Sequence, residues 1–129
     1  MRILVVEDES IIAEDIAWVV ENVAKYRLAG VAGSVEKALA IIAAGDVDGV
    51  ILDVHLNGAS SQSIAQTLQR QNVPFFIVSG SAVQKALPPP LDVAPMLQKP
   101  YRESDLVRFI TGLSQGDARR SEADRKTTI

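Results

Sequence analysis

The sequence predicts an α/β fold built on a five-stranded parallel sheet, and three observations carry that expectation. Five short apolar runs, at residues 3–6, 28–32, 50–54, 75–78 and 94–97, each end in polar or turn residues. Each resembles a strand buried on both faces. The stretches between them carry apolar residues at helical spacing. The 129 residues suit one compact domain, since domains commonly hold about 100–150 residues.

Between the first two runs, Ile11, Ile12, Ile16, Val19, Val20 and Val23 recur at the spacing that buries one face of a helix. Ser34 is placed to cap a second helix, whose apolar face includes Ala38, Leu39, Ile42 and Ala43, and Gly45 stands where a helix ends. A third helix falls within residues 60–71. A last one starts near residues 102–105 and buries Leu106, Val107, Phe109, Ile110 and Leu113. The candidate fourth helix, 82–87, runs into Pro88-Pro89-Pro90. Prolines lack the N–H donor and restrict the preceding residue, so that helix is expected to be short or disordered.

Alternating strands and helices in this length imply right-handed crossovers, with helices on both sheet faces. The expected strand order is 2-1-3-4-5, a flavodoxin-like doubly wound sheet with ligands at the carboxyl ends of its strands. The domain is expected to span 1–114. Residues 115–129 have mixed charge and no periodic apolar face, and are expected to form a disordered tail.

Composition excludes several function classes. A net charge of −3 gives no basic surface suited to a nucleic-acid backbone. There is no cysteine, hence no disulfide scaffold and no thiolate metal site. The opening run Met1-Arg2-Ile3-Leu4-Val5-Val6 meets acids too early for a targeting signal, and no apolar stretch is long enough to span a membrane. A cytoplasmic protein is expected.

The polar residues at the strand ends point to chemistry. Strand one ends in Glu7-Asp8, strand three in Asp53, strand four in Ser79 and strand five in Lys99-Pro100, whereas strand two ends in Gly33. In the order 2-1-3-4-5 the four functional ends are contiguous. Three close carboxylates repel one another unless a cation neutralises them. Few, oxygen-only ligands favour Mg²⁺, which shares carboxylate sites with phosphates. A lysine adds positive charge and a serine hydroxyl donates to a phosphoryl oxygen, so the group suits a phosphate.

Val5-Val6-Glu7-Asp8, Leu52-Asp53-Val54, Val78-Ser79-Gly80 and Lys99-Pro100-Tyr101, in this order and spacing, resemble the response-regulator receiver domains of two-component phosphorelay signalling, over about residues 1–114. The resemblance implies that Asp53 is the phosphoacceptor, attacking a phosphohistidine or a small phosphodonor. It implies Mg²⁺ on Asp8, Asp53 and the backbone carbonyl of His55, with Glu7 acting mainly through water. Ser79 and Lys99 would hold the phosphoryl oxygens, and a cis Lys99-Pro100 bond would aim the lysine inward. The donor would be a sensor histidine kinase or a histidine phosphotransfer protein. The chain would act through protein contacts, without an output domain and as no enzyme beyond its own phosphorylation and dephosphorylation.

The switch position departs from the common pattern. Met96 occupies the place, three residues before the lysine, where many receivers carry a rotating aromatic, and Tyr101 is the candidate for a related signalling role. Pro74-Phe75-Phe76-Ile77-Val78-Ser79-Gly80 with Lys99-Pro100-Tyr101 resembles in part the single-domain subgroup nicknamed FAT GUY, which is typically paired with HWE-type kinases and has a poorly formed fourth helix. Phosphorylation is expected here to order the 81–92 segment instead of rotating an aromatic. His55, two residues past Asp53, is the position that tunes acyl-phosphate lifetime in the family. The alternatives are a phosphorylation-independent adaptor and a Mg²⁺-dependent phosphatase of the haloacid-dehalogenase type, although the latter needs a second Asp where His55 stands. No glycine-rich loop after strand one supports nucleotide binding.

Overall fold

The computed structural model describes residues 1–80 and 84–114. Among these residues, seven strands and four α-helices follow one another as β1 Arg2–Val6, α1 Ser10–Asn22, β2 Arg27–Ala32, α2 Val35–Ala44, β3 Gly49–Asp53, β4 His55–Leu56, β5 Ala59–Ser60, α3 Gln62–Arg70, β6 Phe75–Ser79, β7 Met96–Gln98 and α4 Glu103–Leu113. The main sheet has the order β2-β1-β3-β6-β7, and each neighbouring pair is parallel. This is the expected 2-1-3-4-5 sheet of a flavodoxin-like fold. The labels differ because the β4–β5 hairpin intervenes between the third and fourth sheet strands.

Period-two alternation divides the central strands between two cores. Leu4, Val6, Val50, Leu52 and Ile77 point to the side covered by α2 and α3, with Ala38, Ile42, Ile64 and Leu68. Ile3, Val5, Ile51, Phe76 and Val78 point to the α1 and α4 side, with Ile16, Val20, Leu106 and Ile110. Phe76 and Phe109 meet edge to face at 5.2 Å between ring centroids. β1 and β3 are buried on both faces because both lie inside the sheet, as their uninterrupted apolar runs required. β2 departs from that expectation: only Ala32 is buried, because the strand forms the sheet edge.

The helix ends follow local chemistry. Ser34 Oγ accepts from the Lys37 N–H at 3.2 Å, and Gly45, at φ +87°, closes α2 by donating to the Ile42 carbonyl. Several expectations are corrected. Ile11 is 74% exposed and Val23 37% exposed, so the buried stripe of α1 runs instead through Ala13, Ile16, Ala17, Val19 and Val20. Ala43 lies outside the core of α2. The fifth sheet strand starts at Met96 and not at Ala94, after Pro95, which has no N–H to pair. The third helix is as expected: α3 runs from Gln62 to Arg70, within residues 60–71, and Ala59 and Ser60 before it belong to the hairpin.

Between β6 and β7 the described residues contain a single 3₁₀ turn, Gln84–Ala86, in place of a full helix. This agrees with the proline reading, although residues 82 and 83 of the 82–87 candidate lie outside the described residues. So does the 115–129 tail.

Candidate functional site

The carboxyl ends of β1, β3, β6 and β7 bring Glu7, Asp8, Asp53, Ser79 and Lys99 to one pole of the sheet. Each of these residues follows, or ends, an apolar strand that core packing holds rigidly, so the polar groups sit on fixed supports. Glu7 is 3% exposed, Asp53 9% and Ser79 2%, while Asp8 is half-buried. One carboxylate oxygen from each of Glu7, Asp8 and Asp53 lies within 4.8 Å of the others.

Lys99 Nζ stands 3.9 Å from Glu7 Oε2 and 4.0 Å from Asp53 Oδ1. Its backbone N–H donates to the Ser79 carbonyl at 2.8 Å, which locks the two strand ends together. The Lys99-Pro100 peptide is cis, as expected. A second cis bond, Pro89-Pro90, was not foreseen.

One cation facing three carboxylates leaves an excess of negative charge. Burial, followed by the charge on Asp53, pushes the Glu7 carboxyl up from 4.5 to about 7. Burial also raises Asp53 above its usual 3.8, against the opposing pull of Lys99. Glu7 Oε2 is buried without a hydrogen-bond partner among the described residues. A buried acceptor left bare in this way is costly unless a further positive group meets it. An all-oxygen set with excess charge and a bare acceptor fits a hard divalent cation such as Mg²⁺.

The hairpin supplies a feature the sequence reading missed. Asn57 and Gly58 adopt positive φ, +50° and +81°, and the turn carries the Asn57 N–H to Asp8 Oδ2 at 2.8 Å. The signal was present in the Asn-Gly dipeptide, which favours such two-residue turns. At the hairpin base, Ser61 Oγ and N–H both donate to the carbonyl of Val54, next to Asp53, at 2.9 and 3.1 Å.

The other candidate residues lie around this centre. His55 opens the hairpin with its residue exposed, while Leu56 enters the core. Met96 is half-buried against the α2 and α3 core. Tyr101 packs against the opposite core, and its hydroxyl is raised above its ordinary value of 10.0 by burial and then by the charges of Glu7, Asp15 and Asp53.

Residues 3–111 match the family model of the response regulator receiver domain. The chain is a member of that family. This receiver is 31% identical to SdrG from Sphingomonas melonis Fr1, whose solution structure superposes with a TM-score of 0.75 and covers 88% of this chain and 95% of that one. The BeF3-activated conformation of SdrG, at 30% identity, gives a TM-score of 0.72, covering 87% of this chain and 94% of that one. Sensory transduction protein LytT from Bacillus anthracis is 29% identical over 112 residues, which are 85% of this chain and 46% of that protein. The receiver thus spans about half the length of the curated relatives it matches. No helix among its described residues is long and apolar enough to cross a membrane.

Proposed function

We propose that this receiver accepts a phosphoryl group on Asp53 in a phosphorelay, and signals through protein contacts. The observation that carries this reading is the placement of Lys99 Nζ beside Asp53 Oδ1 and Glu7 Oε2, opposite the three-carboxylate cluster. Asp53 is the nucleophile. Its carboxylate oxygen forms the new bond to phosphorus as the donor's bond to phosphorus breaks, and the departing group keeps that electron pair. Lys99, beside Asp53, and the Ser79 hydroxyl would supply donors to the charge on the transferred group, so catalysis is positioning and electrostatics.

Glu7, Asp8, Asp53 and the His55 carbonyl would hold Mg²⁺. The ion would supply positive charge to the phosphoryl oxygens. Asp8 is oriented for this by the Asn57 N–H.

A histidine kinase or phosphotransfer protein is the donor this reading calls for. α1 adjoins the acidic pole and presents Ile11, 74% exposed, and Trp18, 57% exposed, seven residues apart on one face. The motif residues Pro74-Phe75-Phe76 and Lys99-Pro100-Tyr101, with the reduced fourth helix, support the FAT GUY subgroup and an HWE-type kinase. The similarity to SdrG, which has a BeF3-activated conformation, supports phosphorylation as the input.

The decisive test is incubation with Mg²⁺ and acetyl phosphate, read by intact mass beside an Asp53→Asn variant. The wild type gains one phosphoryl group and the variant none. No gain from any donor would favour an adaptor that works without phosphorylation.

A further inference from the structure

The crossover from β6 to β7 lacks a full helix among its described residues, so the backbone groups that a helix would satisfy internally need partners from elsewhere. Residues 88, 89, 90 and 95 are prolines and supply no N–H. The segment is nonetheless anchored in the core, with Leu91 fully buried and Ala94 nearly so. Their carbonyls find one donor group in common. The Gln84 Nε2 amide donates to the Leu91 carbonyl at 3.0 Å and to the Ala94 carbonyl at 2.6 Å. A primary amide has two N–H groups, and both are used. A second side chain, Gln62 at the start of α3, donates to the Pro89 carbonyl at 2.8 Å.

The clip lies directly upstream of the strand that carries the cation. After Ala94, the Pro95 carbonyl accepts from the Ile77 N–H at 2.8 Å. β7 then pairs with β6 at Met96, Leu97 and Gln98, and among the described residues it is an edge strand of the sheet. Lys99 follows at once. The Lys99 N–H joins the downstream end of β7 to β6, so what is left to set the position of the strand is how its incoming end is held, and Gln84 helps to hold that end.

We infer that Gln84 is a positioning residue for phosphoryl transfer, acting through β7 on Lys99. The inference rests on Asp53 being the phosphoacceptor. Lys99 is 3.9 and 4.0 Å from its two carboxylates, distances at which a small slide of the strand changes its contact with a phosphoryl oxygen. Misplacement by about 1 Å costs up to about a hundredfold in rate. The acidic cluster sits at the carboxyl ends of β1 and β3, strands that the clip does not bond to, so the clip reaches Mg²⁺ affinity only through Lys99 and affects it less than the rate.

The test is a double-mutant cycle on the acyl-phosphate formation rate with acetyl phosphate, with Mg²⁺ affinity measured in parallel by calorimetry. Gln84→Met keeps the side-chain length and removes both donors. It slows phosphorylation by about tenfold and leaves Mg²⁺ affinity within about twofold. In a Lys99→Ala background the same substitution changes the rate little, because the residue through which it acts is gone. Should Gln84→Met not fold, Gln84→Asn, which keeps the amide one methylene short, replaces it in the cycle. A full-rate Gln84 variant, or an equal slowing with and without Lys99, overturns the inference while the Asp53 reading stands. A wild type that takes no phosphoryl group overturns both.

Discussion

Lys99 Nζ lies nearly equidistant from Glu7 Oε2 and Asp53 Oδ1, at 3.9 and 4.0 Å, and makes no closer ion pair with either. It is thus held between two acids without being committed to one, and a phosphoryl group on Asp53 is the third anion it would meet. Lys99→Ala removes this charge from a buried, electrostatically driven site. Phosphorylation by acetyl phosphate is expected to slow by about 10²-fold, the loss typical of one preorganised donor at developing charge. Time-resolved intact mass measures it, and a rate within twofold of wild type would remove Lys99 from the mechanism.

The raised carboxyl of Glu7 makes stability depend on pH. With a folded value of about 7 against 4.5 for the ordinary group, the folded state binds more protons than the unfolded state between those values. Stability therefore falls as pH rises from about 4.5 to 7. Asp53, raised from 3.8, acts in the same direction. Mg²⁺ requires ionised carboxylates, so its stabilisation grows over the same window, reaching about 2.7 kcal/mol at a hundredfold excess over Kd. Thermal melts at pH 5 and pH 7.5, with Mg²⁺ and with EDTA, check this. A Mg²⁺ effect as large at pH 5 as at pH 7.5 would contradict it.

The hairpin is expected to tune the metal site from its turn. Gly58 has φ +81° with open space around its absent Cβ, so Gly58→Val is opposed by backbone strain and not by a clash. The strained turn shifts the Asn57 N–H that orients Asp8 at 2.8 Å. Mg²⁺ binding should weaken severalfold, with about 1 kcal/mol or more of stability lost. Calorimetric titration and chemical denaturation report the two effects separately.

How far the sequence disclosed this site depends on the kind of signal each residue leaves. Strands packed on both faces are uninterrupted apolar runs, so Glu7, Asp8 and Asp53 mark their own strand ends by the abrupt change to charge. Side chains that bond to irregular backbone have no period. Nothing in the sequence singles out Gln62 and Gln84, and only the chain path brings the Pro89, Leu91 and Ala94 carbonyls to them. Ile11 misled in the opposite direction. A helix carrying Ile11, Ile12, Ile16 and Trp18 has more apolar residues than one buried stripe holds, and only packing decides that Ile16 goes inward and Ile11 and Trp18 stay in water.

Those two exposed side chains give a prediction that separates a protein donor from a small one. Trp18 is 57% exposed and lines a shallow cleft of about 280 Å³ with Asp15, Tyr101 and Glu103. Trp18→Ala should therefore change stability by no more than about 0.5 kcal/mol, as for other surface substitutions. Acetyl phosphate, which needs only the acidic pole, should phosphorylate the Ile11→Ala/Trp18→Ala variant at the wild-type rate. On the reading that a phosphohistidine protein docks on α1 through these side chains, transfer from a phosphorylated HWE-type kinase is expected to slow by tenfold or more, as for loss of a buried aromatic anchor worth about 2 kcal/mol. Equal slowing with both donors would mean that the substitutions act through the site itself. Equal, undiminished rates would move the donor's contact to another face.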